Sequence, residues 1–177
     1  TKDGRLNVKV LRQLVNDLIE ANVSGLNPLA STGEIAYLTE RERTKVARVV
    51  IDEARGCVPV VVGVESTATQ LAVDKAKKYQ EIGADALLMI LRSYLPLSKS
   101  SILDHFFCVA DAVSCPIVLY NNPRLTGVDL AEDVVIELAQ HPNIQYLKDA
   151  SGLTGHLLSL ANLCADSLRI FSGSAHI

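Results

Sequence analysis

The sequence predicts an α/β fold, a (β/α)8 barrel of which about six β/α units are present. Three observations carry that expectation. Six short apolar runs rich in β-branched residues recur along the 177 residues, at Gly25 to Leu29, Val58 to Val62, Asp85 to Ile90, Pro116 to Tyr120, Ile144 to Lys148 and Leu168 to Phe171. Between them lie longer stretches with helical periodicity. The runs start 33, 27, 31, 28 and 24 residues apart, close to the thirty-odd residues of a strand, a crossover helix and the next parallel strand.

In order, the first helix is expected from about Val8 to Asn22. Val10, Leu11, Leu14, Val15 and Leu18 fall on one face, with Asn7 as the cap. After the run at Gly25 to Leu29, Thr39-Glu40-Arg41-Glu42 has the capping-box form, and Thr67-Ala68-Thr69-Gln70 repeats it before the helix that follows the second run. Gly56, Gly83, Val58-Pro59 and Cys115-Pro116 punctuate helix ends ahead of strands. No linker, low-complexity tract or second domain appears. Parallel strands buried on both faces suit an open doubly wound sheet or a closed barrel, and their regularity favours the barrel. A barrel of this kind takes about 250 residues. The expectation is therefore a single barrel domain over residues 1–177, lacking its first strand and its C-terminal part, with a complete smaller open sheet as the alternative.

Composition narrows the function. With 49% apolar residues, 21% charged residues and a net charge of -3, the chain can bury a core and has no basic surplus for a phosphate backbone, so no nucleic-acid partner is expected. Apolar stretches such as Ala86 to Leu91 fall far below the roughly 18 residues of a membrane span, and no polybasic run points to a membrane surface. No secretory pattern opens the sequence, so a cytoplasmic location is expected. Cys57, Cys108, Cys115 and Cys164 show neither metal-site nor disulfide-framework spacing and read as buried free thiols. His105, His141, His156 and His176 have no HxxxH or HExxH spacing, so no metal is expected.

In a barrel of parallel strands the active site lies at the strands' C-terminal ends. There the sequence places Ala30-Ser31-Thr32-Gly33-Glu34, Arg92-Ser93-Tyr94, Tyr120-Asn121-Asn122-Pro123 and Lys148-Asp149-Ala150-Ser151-Gly152. A lysine closing an apolar strand can simply snorkel to solvent. A desolvated lysine is also the nucleophile that forms Schiff bases with carbonyl substrates, and a tyrosine on the adjacent strand can shuttle the protons of carbinolamine dehydration. Lys148 and Tyr120 are the candidates. Ser31 and Thr32, on a glycine-containing turn, could hold a carboxylate through hydroxyls and backbone N–H groups, or could serve only as turn and cap.

At these residues the chain resembles the dihydrodipicolinate synthase and N-acetylneuraminate lyase family of class I, pyruvate-dependent aldolases. The resemblance runs from Asp3-Gly4 through Ser31-Thr32-Gly33-Glu34, Tyr120-Asn121-Asn122-Pro123, Thr126-Gly127 and Lys148-Asp149-Ala150-Ser151-Gly152 to Phe171-Ser172-Gly173. It implies a (β/α)8 barrel with a C-terminal helical region. It also implies that Lys148 forms the Schiff base, that Tyr120 relays protons, and that Ser31 stands between two tyrosines, the second being Tyr94 supplied from a neighbouring subunit. Thr32 would bind the pyruvate carboxylate, with Gly33, Arg124 and Gly173 as further substrate-binding positions. A homodimer or a dimer of dimers is implied, and no metal or organic cofactor.

The sequence departs from the family pattern in instructive places. The synthases carry arginine immediately before the Thr-Gly at Thr126-Gly127, whereas this chain has Leu125 there and Arg124 one position earlier; a one-residue shift redirects a strand-end side chain. Condensation with aspartate semialdehyde is therefore not assumed. Glu40, Arg43 and Ser93 differ from the lysine-sensitive members. Ser174-Ala175-His176 lacks the acidic pair of the sialic-acid lyases. The expected activity is a Schiff-base lyase or aldolase of the dihydrodipicolinate synthase type with pyruvate or another 2-oxo acid as donor and an unassigned acceptor. The alternatives are a dehydratase or aldolase of a sugar-derived 2-oxo acid, or a non-catalytic family relative or fragment.

Overall fold

A computed structural model describes residues 4–164 and 166–173. Five strands, β1 (Val61–Glu65), β2 (Ala86–Ile90), β3 (Ile117–Asn121), β4 (Ile144–Asp149) and β5 (Arg169–Ser172), pair in sequence order, every neighbouring pair parallel. The helices are α1 (Val8–Glu20), α2 (Glu40–Ala54), α3 (Thr69–Glu81), α4 (Lys99–Ala112), the short α5 (Pro123–Thr126), α6 (Glu132–Leu138) and α7 (Thr154–Leu163), with a 3-10 turn at Ile35–Tyr37. The architecture is a partial (β/α)8 barrel, a run of parallel strands in sequence order with at least one helix between each pair. Among the described residues no helix is long and apolar enough to cross a membrane.

Alternation along the strands divides the core in two. Val62, Val64, Leu87, Met89, Ile117, Leu119, Ile144 and Leu147 pack outward under the helices, while Ala86, Leu88, Ile90, Val118 and Tyr120 form a second cluster on the inner face with Ala30. Neighbours in a parallel register share a face. Between β3 and β4 the register slips: Ile117 faces Ile144, but Val118 faces Tyr146, so Gln145 is an extra residue. That bulge turns Leu147 outward and sets Lys148 opposite Tyr120 on the inner face.

Several expectations need correction. The second run was expected at 58–62 and forms its strand three residues later, ending in Glu65. The first run makes a single bridge, Leu26 with Val60. Pro28 has no N–H to donate, and Leu29 turns into the left-handed region at φ 60°. Its chain nonetheless lies hard against β1, where Pro28 accepts a hydrogen bond from Gly63 N–H at 3.0 Å. A Cβ on Gly63 would fall 1.7 Å from the Leu29 carbonyl oxygen, so only glycine fits.

The caps at Asn7 and Thr39 form as expected, the latter as a complete capping box. That at Thr67 does not: α3 starts at Thr69 behind Ala68, without a side-chain cap. Here Ser66 donates to the Ala68 carbonyl and the Thr69 hydroxyl pairs with His105. All four cysteines are free, but only Cys164 is buried; Cys115 is half-buried and Cys57 and Cys108 are exposed. Burial pushes the thiols of Cys164 and Cys115 up.

Candidate active site

The inner-face residues at the C-terminal ends of the strands meet as the parallel register dictates. Lys148 Nζ stands 5.2 Å from the centroid of the Tyr120 ring, a cation–π distance. The Tyr120 hydroxyl, on a side chain only 6% exposed, shares a hydrogen bond with Ser31 Oγ at 3.1 Å and accepts one from Asn122 Nδ2 at 2.8 Å. Because Asn122 fills one acceptor position, the phenolic proton is free for Ser31 or for a substrate oxygen. Among the described residues, Lys148 Nζ makes no hydrogen bond or ion pair beyond the ring contact.

The strand end under Lys148 is rigidly held. Asp149 is fully buried and accepts from Asn121 Nδ2 at 3.1 Å, from Ser151 N–H at 2.9 Å and from the Ser151 hydroxyl at 2.6 Å, and it pairs with His156 Nδ1 at 3.1 Å. Asn121 Oδ1 in turn accepts from Leu130 N–H at 3.1 Å. The four bonds on Asp149 fix the backbone on both sides of it, although His156 Nε2, at the far side of its ring, is buried without a partner among the described residues.

A cavity of about 230 Å³ opens beside Tyr120 and Ser31, walled by Ile35, Ile90, Leu125 and Thr126 and bordered by Glu65 and Arg92. A second cleft of about 470 Å³ adjoins it through the same Glu65 and Arg92 and is lined further by Arg43, Lys75, Ser66 and Tyr94. Glu65, 8% exposed, pairs with Arg92 at 2.8 Å and with Arg43 at 3.3 Å. Tyr79, buried on α3, is pushed up to about 12, chiefly by burial and then by the Glu40 carboxylate.

The structure thus brings Lys148, Tyr120 and Ser31 together. Thr32 and Gly33 are exposed and line a separate apolar groove with Leu6, Leu11 and Val50. Arg124 is exposed on α5 and borders neither cleft. Tyr94 is 98% exposed at the mouth of the outer cleft, away from Tyr120. Gly173 donates to the Asp149 carbonyl, and a Cβ there would meet Ala150 Cβ at 2.7 Å. Asp3 of the opening Asp3-Gly4, and Ser174, Ala175 and His176, lie outside the described residues. Sequence reasoning missed Glu65, Asn122 as the donor to Tyr120, and the anchors Asp149 and His156. A carboxylate ending the apolar run Val60 to Val64 was the available signal for Glu65, hidden by placing that strand too early.

The chain spans about 60% of the length of the curated relatives it matches. The 4-hydroxy-tetrahydrodipicolinate synthase of Pelobacter propionicus is 35% identical over 176 residues, covering 99% of this chain and 61% of that protein. The enzyme of the same name from Methylococcus capsulatus is 37% identical over 171 residues, 97% of this chain and 59% of that one. Among solved structures, the chloride-inhibited dihydrodipicolinate synthase of Acinetobacter baumannii complexed with pyruvate superposes with a TM-score of 0.93 at 32% identity, over 97% of this chain and 59% of that one. YagE, a prophage protein of the dihydrodipicolinic acid synthase family from E. coli K12 in complex with pyruvate, gives 0.93 at 34% identity over 98% and 59%. The sequence model of the dihydrodipicolinate synthetase family matches residues 1–177, and the chain belongs to that family.

Proposed function

We propose that the protein carrying this chain is a Schiff-base-forming lyase of the class I aldolase type, with pyruvate or another 2-oxo acid as donor. The carrying observation is the amine of Lys148 over the ring of Tyr120, whose hydroxyl is itself held by Ser31 and Asn122. The relatives' pyruvate complexes support the choice of donor.

Lys148 Nζ attacks the keto carbon, the carbonyl oxygen takes a proton through Tyr120, and water leaves as the imine forms. Loss of a proton from the adjacent methyl gives the enamine. Its carbon then bonds to the carbonyl carbon of an acceptor, whose oxygen takes up a proton, and hydrolysis returns the lysine. The protonated imine is the electron sink, so the reaction as proposed draws on no metal or organic cofactor. Tyr94, fully exposed at the rim, supports a role across a homodimer or homotetramer interface, and the four unpaired thiols suit a reducing cytoplasm. Residues 1–177 fit part of a single (β/α)8 barrel domain.

The test is intact-mass spectrometry after incubation with pyruvate and borohydride. A reduced imine adds about 72 Da to the wild type and nothing to Lys148→Ala. Absence of the adduct from folded wild-type protein with pyruvate and with longer 2-oxo acids overturns the proposal.

A further inference from the structure

We propose that Arg92 is the specificity-determining residue for the acceptor, and that it selects acceptors carrying an anionic group. The inference rests on the reading of Lys148 as the Schiff-base group. Arg92 lies two residues beyond β2 and borders both the cavity containing Tyr120 and Ser31 and the outer cleft. It is the cation common to both cavities; Lys148 lines neither and reaches the inner one through the Tyr120 ring it stands against.

The neighbouring cations are already engaged. Arg43 is 12% exposed, and its guanidinium donates to the carbonyls of Ile35 and Leu38 while pairing with Glu40 and Glu65. Lys75 is 17% exposed and is bound to the Glu65 carbonyl and to Glu40. Among the described residues Arg92, half exposed, makes one ion pair, through Nη1 to Glu65 Oε1. A guanidinium carries five N–H donors in a fixed fork, so the remaining donors are available to a ligand.

Glu65 works as the mount. Its side chain is buried, and Arg43 holds its second oxygen, so the carboxylate cannot swing away from Arg92. Arg43 and Lys75 are engaged with Glu40 and Glu65, and Glu34 adds a third carboxylate to the Tyr120 cavity, so it is the unused donors of Arg92, and no net positive charge, that would hold an anion. The walls between Arg92 and Tyr120 are apolar at Ile35, Ile90 and Leu125. That combination suits a short aldehyde with an apolar middle and an anion at its far end, gripped by a fork of charge-assisted hydrogen bonds. Arg124, exposed and outside both cavities, has no comparable access.

The experiment measures pyruvate consumption with two matched pairs of acceptor, 4-oxobutanoate against butanal and glyceraldehyde 3-phosphate against glyceraldehyde. Wild type, Arg92→Gln and Arg92→Lys are compared, and urea unfolding verifies each fold. In wild type at least one anionic member is expected to exceed its neutral partner in kcat/KM. Arg92→Gln is expected to shrink that ratio at least about tenfold, as loss of hydrogen bonds to a charged group implies, with Arg92→Lys restoring part of it. The pair that responds distinguishes a carboxylate from a phosphate. Equal losses for anionic and neutral members, or no anionic preference in the wild type, overturn the assignment. If Arg92→Gln does not fold, the same ratio in Arg92→Lys decides, with a smaller loss expected. Borohydride trapping of pyruvate on the wild type is run alongside: a missing adduct defeats the Lys148 reading and this proposal with it, whereas a normal adduct with an unmoved ratio defeats only the role of Arg92.

Discussion

The hydroxyls of Ser31 and Tyr120, 89 residues apart in sequence, share a 3.1 Å hydrogen bond at the rim of the sheet. Ser31 reaches Tyr120 because the chain after Leu29 turns sharply over Gly63 and delivers the following residue to the inner face. The bond orients a phenol whose oxygen is also held by Asn122.

Tyr120→Phe removes the proton carrier and leaves the ring under Lys148 in place. Turnover is expected to fall at least about 100-fold, the usual scale for loss of a general acid–base group, while stability changes by only about 1 kcal/mol. Ser31→Ala, which leaves the phenol with Asn122, should cost less in rate than Tyr120→Phe. Steady-state kinetics and urea unfolding check both, and equal losses for the two variants would contradict the assigned roles.

Asp149 contributes by holding the strand end. Its four partners, two from Ser151 and one each from Asn121 and His156, converge on a side chain with no exposed surface. Asp149→Ala takes the shared acceptor from those donors, of which Asn121 is fully buried, and is expected to destabilise by about 3 kcal/mol. The pyruvate adduct on Lys148 should form more slowly as well. A urea midpoint within experimental error of wild type would show that the cluster does not anchor the strand.

Gly63→Ala drives a methyl group into the Leu29 carbonyl, and backbone on both sides must move to admit it. Loss of about 3 kcal/mol or more is expected. Gly155→Ala, in α7 with nothing within 4 Å of the added carbon, is the matched control. It should be neutral or stabilising by up to about 1 kcal/mol. Thermal melts of the two variants, compared with wild type, give the contrast.

His105 makes stability depend on pH. Burial between α3 and α4 holds its pKa below the ordinary value of 6.5, and its Nδ1 pairs with the Thr69 hydroxyl at 3.1 Å. The unfolded chain therefore takes up a proton that the folded one resists, so this contribution is fully present above 6.5 and is lost as pH falls below it. His105→Gln keeps a partner for Thr69 and cannot titrate. Its unfolding midpoint should decline less steeply than the wild type's between pH 7 and 5, and parallel slopes would remove His105 from the account.

Much of the fold was legible because it rests on local rules. Alternation of β-rich runs with capped helical stretches shows directly in the residues, so strands β2 to β5 lie within a residue or two of the runs that announced them. Lys148 and Tyr120 stood out because each closes an apolar run. Tyr94 and Arg124 were placed at the same rim by their position after strands or beside Thr126-Gly127, and both are exposed, Tyr94 on the loop after β2 and Arg124 on α5, a placement that spacing does not encode.

The sequence by itself determined the parallel β/α order, the family, and the lysine and tyrosine that a Schiff base needs. Only the tertiary structure decided which face each strand shows. One extra residue at Gln145 sets Lys148 opposite Tyr120; without that bulge the unbroken register would set Leu147 there. The later start of β1 likewise carries Glu65 to the rim, where it meets Arg43 and Arg92 from elements far along the chain. Side-chain direction in a strand reverses with every residue, so a shift too small to alter composition or periodicity chooses which groups share a cavity.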